Sequence, residues 1–264
     1  MASADTIAAR TAGSASRWGL VWTLIRTDFK ARYHGTLSGF VWALLKPTAM
    51  FVVLEAVFSV IFATDEHYRS NLIIGLFLWD FFAESTKTGM ISLHGRGFLL
   101  TKAKCPSWIL VVTSLSNAAI TLSVFAAAIL TFLAWGHRAP SPAAVGLFLA
   151  YLAGLLLVVT GISLGSSVLF LRYRDLNQVW DVVLQAGFFV APVIYPLGIL
   201  PERYHWFIYL WAPTPFIQFS RSVLVDGQIA GLHAHAVLAA GTAIILGTGV
   251  LVFRRFAPRA AEFL

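Results

Sequence analysis

Apolar residues dominate this chain in runs long enough to cross a bilayer, and short polar or charged segments separate the runs. A helix needs about 20 predominantly apolar residues to span the hydrocarbon core. Segments of about this length lie at about 40–63, 71–90, 107–135, 143–171, 178–195 and 234–253. The pattern predicts an all-α polytopic membrane protein, with a six-span transmembrane domain covering 37–264.

The segment 17–36 has a different pattern, in which apolar side chains recur at three- and four-residue spacing and polar ones fill the other side. A stripe of this kind is typical of an amphipathic helix lying in the membrane interface. A soluble core helix would show the same stripe, but the apolar runs that follow favour the interface. Residues 1–16 are small and polar, and we expect them to form a flexible cytoplasmic tail.

The region 203–226 is rich in aromatic residues and could be counted as a seventh span. Pro213 and Pro215 divide it into pieces of about ten residues, each roughly 15 Å long, which is half of a core of about 30 Å. With six spans, 13 of the 19 Lys and Arg residues fall on one side, as the positive-inside rule requires. We therefore expect two re-entrant half-helices in this region and both termini in the cytoplasm.

The composition agrees with a polytopic membrane protein. Of the residues, 58% are hydrophobic and 12% are charged, and the charged fraction is about half of the usual one. The net charge of +7 could suggest nucleic acid, but basic loops retained at the cytoplasmic face account for it. The single cysteine, Cys105, excludes an intramolecular disulfide. We expect no metal site and no nucleic acid partner.

One motif could carry catalysis. Gly161-Ile-Ser-Leu-Gly165 fits the Gly-x-Ser-x-Gly pattern, so that Ser163 could serve an intramembrane serine protease. Such a serine needs a base within hydrogen-bond reach, and every histidine falls in a loop or at a span end. The motif also fits a packing face of small residues between helices, which is the interpretation we favour.

The chain contains no Gly-x4-Gly-Lys-Ser/Thr phosphate loop. It therefore has no means of hydrolysing ATP by that chemistry. We expect no catalytic site and no cofactor in this chain. If ATP powers its activity, a separate subunit must bind the nucleotide.

Charged and aromatic side chains within the spans are candidates for a polar pathway. Asp80, Glu84 and Lys87 occupy successive turns of the second span, and Glu55 stands alone in the middle of the first. Ionisable side chains at membrane depth usually face a bundle interior or water, although Lys87 could already lie in the cytoplasm. Aromatic rings at helical spacing either pack or line a channel, where they would stack on the C–H faces of sugars. The candidate lining residues are Trp42, Phe51, Glu55, Phe58, Phe62, Phe188, Phe189 and Tyr195.

Three stretches taken together resemble a known family. They are 28–33 with Gly35, Gly39, Trp42 and Pro47; 172–176; and 188–195 with Leu200-Pro201, Ala212-Pro213-x-Pro215 and Arg221. The combination covers about residues 17–255 and is similar to the permease subunits of polysaccharide-exporting ABC transporters. The N-terminal motif is closer to the O-antigen and teichoic acid branch than to the capsule branch. The usual Asn-Pro near the second half-helix is Ala212-Pro213 here.

The resemblance implies a homodimer in the bacterial inner membrane, paired with two copies of a separate ATPase that binds ATP and Mg²⁺. It implies that spans one and five border a channel, and that a coupling loop at 91–106 is seated on the ATPase. We assign this coupling to Gly95, Arg96, Lys102 and Lys104.

The implied substrate is a polysaccharide on undecaprenyl diphosphate, entering close to the interfacial helix. Arg26, Lys30, Arg32 and Tyr33 form the candidate entrance, because basic side chains suit a diphosphate headgroup. Anionic membrane lipids would also satisfy these cations. A drug or small-lipid exporter on the same scaffold is the remaining alternative.

Overall fold

The computed structural model describes residues 19, 22–23, 26–27, 39–62, 65–96, 107–136 and 139–258. In this part of the chain the regular structure is helical and contains no strand, which confirms the all-α class. The main helices are α1 Gly39–Ile61, α2 Tyr68–Ile91, α3 Ser107–Trp135, α4 Pro142–Arg172, α5 Leu176–Val190, α6 His205–Leu210, α7 Thr214–Leu224 and α8 Leu232–Phe256. Short 3-10 turns lie at His94–Arg96, Leu197–Ile199 and Glu202–Tyr204.

Among the described helices, α1, α3, α4 and α8 are long and apolar enough to cross a membrane. The second predicted span corresponds to α2, whose 24 residues would extend about 36 Å at 1.5 Å per residue. Its charged residues, which include Asp80, Glu84 and Lys87, distinguish it from the other four. The total of six spans stays a prediction.

The fifth predicted span, 178–195, requires a correction. Helix α5 has 15 residues and ends at Val190, so it extends only about 22 Å, less than a core of about 30 Å. The cause is Pro192, because a residue that precedes proline is disfavoured in helical geometry. Accordingly, Ala191 is extended, with φ −67° and ψ 129°.

The aromatic region 203–226 contains two short helices, α6 with six residues and α7 with eleven. The chain between them turns at Trp211–Pro213, and Pro215 occupies the first turn of α7. Proline is tolerated at that place because the backbone N–H groups of a first turn have no intrahelical acceptor. The entry of these helices into the outer leaflet stays a prediction.

Helix α2 is the centre of the bundle. Helices α1, α3, α4, α5 and α7 all pack against it. Its side chains Ile74, Leu78, Phe81 and Phe82 are completely buried. Since successive residues around α2 meet different neighbours, almost every face of its middle turns is covered.

The Gly-x-Ser-x-Gly motif lies at the contact between α4 and α8. A Cβ atom at Gly161 would overlap the backbone of Ile245 and Leu246, and Gly165 lies directly against Gly249. Ser163 is fully buried, and its Oγ has no hydrogen-bond partner among the described residues. The close contacts of Gly161 and Gly165 with α8 confirm the packing interpretation.

Candidate functional site

A groove runs between α1 and α5, and its floor is α2. Both wall helices pack on α2, and they leave a cavity of about 800 Å³. The floor consists of Leu76, Trp79, Asp80 and Ala83, which follow the three- and four-residue spacing of one helix face. The walls are Lys46, Pro47, Ala49, Met50 and Val53 from α1, and Leu184, Gln185, Phe188 and Phe189 from α5.

The lining combines aromatic rings with a few polar groups. The Trp79 ring lies 5.7 Å from that of Phe188, and the Phe188 and Phe189 rings meet edge to face at 5.5 Å. Asp80, Gln185 and Lys46 supply hydrogen-bonding groups to the same cavity. A mostly apolar cavity with a few converging polar groups is the usual form of a binding site.

Two ion pairs join α1 to α2, one within the groove and one outside its lining. Lys46 Nζ lies 2.9 Å from Asp80 Oδ1, and Arg69 Nε lies 2.8 Å from Glu55 Oε1. The two helices run antiparallel, so the pair near the start of α1 involves the second half of α2. Pairing lowers the cost of placing these charges at membrane depth.

Glu55 is the only charged residue in the middle of its span, but it has a charged partner on the neighbouring helix α2. Arg69 lies in the first turn of α2, and the antiparallel packing of α1 and α2 brings it within ion-pair distance. The sequence placed Arg69 in a loop. Extension of α2 to Tyr68 is what turns this arginine toward Glu55.

Helix α5 is attached to α2 by two neighbouring contacts. Trp180 Nε1 donates to Thr86 Oγ1 at 3.1 Å, and Lys87 Nζ lies 2.7 Å from Asp181 Oδ1. At the other end of α5, Tyr195 Oη donates to the Phe189 carbonyl at 2.9 Å. This bond satisfies one of the carbonyls that a helix C-terminus leaves without an intrahelical partner.

The structure places the predicted lining residues in different surroundings. Phe188 and Phe189 lie in the groove wall. Phe51 instead meets the Phe132 ring of α3 at 5.5 Å, and Phe62 lies between Phe58 and Tyr68. The Trp42 side chain lies outside the described residues.

Sequence reasoning missed several groove residues, namely Lys46, Trp79 and Gln185, and did not include Asp80 among the lining residues. The spacing of Leu76, Trp79 and Ala83 on one face of α2 could have indicated the floor. Nothing in the sequence indicated that Lys46 meets Asp80, because the two residues belong to different helices.

The predicted entrance and coupling residues lie mostly outside the described part of the chain. Arg26 is helical and exposed, whereas Lys30, Arg32 and Tyr33 are outside the described residues. Gly95 is exposed in the turn that follows α2. The Arg96 side chain, Lys102 and Lys104 are also outside the described residues. Their roles stay predictions.

Comparison with known proteins gives consistent matches. A family described as ABC-2 type transporter matches residues 19–225. The O-antigen export system permease protein RfbA of Myxococcus xanthus is 28% identical over 70% of this chain and 71% of that protein. RfbA of Klebsiella pneumoniae is 23% identical over 93% of this chain and 95% of that protein. The polysialic acid transport protein KpsM of Escherichia coli is 22% identical over 88% of this chain and 91% of that protein.

Proposed function

This chain belongs to the ABC-2 type transporter family, and from this premise we propose that it is the permease subunit of an ATP-driven polysaccharide exporter. The cargo is a lipid-linked polymer, O-antigen-like or teichoic-acid-like, that crosses the bacterial inner membrane from the cytoplasm. Relatives that match over most of their length are named for O-antigen export or polysialic acid transport. These names support polymer export over drug export.

The observation that carries the proposal is the chemistry of the groove between α1 and α5. Trp79, Phe188 and Phe189 offer ring faces for the C–H surfaces of sugars. Asp80 and Gln185 offer oxygen and nitrogen atoms to sugar hydroxyls. Stacking on an aromatic ring does not require a fixed geometry. A polymer can therefore advance along the groove while each sugar moves from one ring to the next.

A homodimer completes the channel in this proposal. The groove is open along one side of the single chain. The wall residues Val53 and Phe189 and the neighbouring Val182 are more than half exposed. A second copy related by a twofold axis would present the same face, as closed symmetric dimers do. The two grooves would then enclose one passage.

A separate ATPase subunit supplies the energy in this proposal. We infer that two copies of a separate ATPase bind ATP and Mg²⁺ and push on the coupling loop 91–106. The loop follows α2 directly, and α2 is the floor to which both groove walls are attached. Movement of α2 would therefore tilt α1 and α5 together and advance the polymer.

The lipid end of the substrate is assigned to the basic entrance. The diphosphate of an undecaprenyl carrier would meet Arg26, Lys30 and Arg32 at the cytoplasmic side, where both chain termini also lie in the six-span order. Guanidinium groups bind phosphate oxygens in pairs. Anionic membrane lipids compete for the same cations.

The proposal is tested in cells of the source organism that lack this chain. We expect the surface polymer to disappear and the lipid-linked polymer to accumulate in the cytoplasm. The wild-type chain should restore the surface polymer, and it should fail when the partner ATPase carries a substitution of its phosphate-loop lysine. Normal surface polymer in the deletion strain would overturn the proposal, and loss of resistance to small toxic compounds would favour the drug-exporter alternative.

A further inference from the structure

A second cavity lies beyond the groove, around the buried side chain of Arg221. It has a volume of about 170 Å³ and is formed by the start of α2, the end of α7 and the linker after α5. Its polar lining residues are Tyr68, Asn71, Gln218, Arg221, Ser222 and Asp226. We call it the Arg221 pocket.

Arg221 holds the three walls of this pocket together. Its Nε donates to the Asn71 carbonyl of α2 at 2.9 Å. Its Nη1 and Nη2 donate to the carbonyls of Pro192 and Val193 at 2.5 and 2.8 Å. The guanidinium fork suits this task because its donors point in fixed directions. Gly75 leaves room for it, since a Cβ atom there would overlap Arg221 Nη2.

The pocket wall contains polar atoms that no described residue satisfies. Tyr68 Oη, Asn71 Oδ1 and Gln218 Nε2 are buried without a hydrogen-bond partner in the described part of the chain. The Tyr68 residue is only 4% exposed. Buried polar groups are nearly always hydrogen-bonded in folded proteins, so three unsatisfied groups around one cavity point to a polar ligand.

The pocket lies in line with the groove. On α2, Tyr68, Asn71 and Leu72 line the pocket, and Leu76, Trp79 and Asp80 line the groove. These positions continue one face of the helix at three- and four-residue spacing. Asp80 follows Asn71 by nine positions, which corresponds to about 14 Å along the helix axis. A ligand that follows the groove toward the start of α2 would reach the pocket next.

The chemistry of the pocket fits a neutral, hydroxyl-rich ligand. Arg221 and Asp226 carry opposite charges, and the other polar groups are amides and hydroxyls that both donate and accept hydrogen bonds. Tyr68 and Tyr195 contribute aromatic rings. The volume equals that of roughly five or six water molecules, which is the scale of one sugar ring. An anionic headgroup would instead require a surplus of cations.

We propose that the Arg221 pocket binds one sugar unit of the exported polymer at the exit end of the groove. This inference rests on the proposed function. A sugar held there would keep the leading part of the chain from slipping back while the groove walls move. The unsatisfied groups of Tyr68, Asn71 and Gln218 would bind its hydroxyls.

The test traps polymer in transit in the complete transporter in cells. A photoreactive benzoylphenylalanine is placed at Leu197 in the pocket, at Gln185 in the groove, or at Trp206, which is 70% exposed and lines neither cavity. Only variants that still display surface polymer are irradiated. We expect the polysaccharide to crosslink at Leu197 and Gln185 but not at Trp206.

Substitutions then test the hydrogen bonds. Gln218→Leu and the smaller change Tyr68→Phe should each lower the crosslink yield at Leu197 about three- to tenfold, as loss of a single hydrogen bond would. Gln228→Leu is the matched control, because Gln228 is exposed in the loop after α7. The yield at Gln185 should be unchanged in all three variants.

The outcomes separate the two proposals. Crosslinking at Gln185 without crosslinking at Leu197 would overturn the pocket and leave polymer export intact. Equal yields at Leu197 in Gln218→Leu, Tyr68→Phe and Gln228→Leu would also overturn it. Crosslinking at neither position, in cells whose surface polymer is normal without this chain, would overturn polymer export itself.

Discussion

Lys87 of α2 and Asp181 of α5 form an ion pair, with 2.7 Å between Nζ and Oδ1. The neighbouring residues, Thr86 and Trp180, form a hydrogen bond of 3.1 Å between the same two helices. Lys87 therefore contributes to the packing of α5 on α2 through its partner Asp181. The two contacts attach α5 to α2, and we expect α5 to follow a movement of α2.

Breaking the ion pair should therefore lower the export of polymer more than it lowers the stability of the protein. Both side chains are about two-fifths exposed, so we expect Lys87→Met or Asp181→Asn to cost at most about 1 kcal/mol of stability. Export should fall several-fold in each. The exchanged pair, Lys87→Asp with Asp181→Lys, should recover most of the export, which a double-mutant cycle on surface polymer would measure. Strictly additive losses would contradict the coupling.

Gly75 is predicted to be essential for the position of Arg221. Gly75→Ala places a methyl group against the guanidinium, and overpacking of this kind costs about 1–3 kcal/mol. The thermal unfolding midpoint of the purified transporter should fall by several degrees. Gly247→Ala in α8 is the control, because its Cβ would meet open space and alanine favours a helix. A midpoint unchanged in both variants would exclude a structural role for Gly75.

The groove proposal predicts that an aromatic ring is needed at Phe189. The side chain is 68% exposed in the single chain, so Phe189→Ala should leave the folding of the subunit intact. Loss of one ring contact of about 1 kcal/mol would lower the export rate about fivefold. Phe189→Tyr should retain export, whereas Phe189→Leu should behave like the alanine variant. Full activity of the leucine variant would show that shape alone matters at this position.

The motif around Ser163 should respond as a packing contact. Ser163→Ala removes a buried hydroxyl without a partner in the described residues, so stability and export should be unchanged or slightly improved. Gly161→Leu should strongly reduce the amount of folded protein, because the added side chain meets the α8 backbone. Gly146→Leu on the same helix meets open space and should be tolerated. Labelling of Ser163 by a fluorophosphonate would instead support the protease alternative.

The entrance and the coupling loop are tested by Arg32→Ala and Gly95→Pro. Export should fall in both, and the ATPase activity of the complex should respond less to substrate in Gly95→Pro, because proline would stiffen the turn to which we assign the coupling. Arg138→Ala, at a position between α3 and α4 in the sequence, is a charge-matched control for Arg32→Ala. Unimpaired export in both variants at normal protein levels would remove the roles proposed for these residues.

Much of the helical framework was readable from local pattern. The bounds of α3 and α4 follow from long apolar runs, since an uninterrupted run of that length has few alternatives to a helix in lipid. The division between α6 and α7 follows from Pro213 and Pro215, which act on their immediate neighbours. The end of α5 at Val190 follows from Pro192 in the same way. The prediction of a span to residue 195 was too long because the residues around Pro192 are also apolar.

The contacts between charged side chains on different helices could not be predicted from the sequence. Hydropathy marked Glu55, Asp80 and Lys87 as unusual, but their partners lie on other helices and are set by helix rotation and antiparallel offset. The same holds for Arg221, whose partners are backbone carbonyls that carry no signature in the residue types. Local interactions therefore placed the helices, whereas long-range packing decided which charges meet, where the groove opens and how the Arg221 pocket is built.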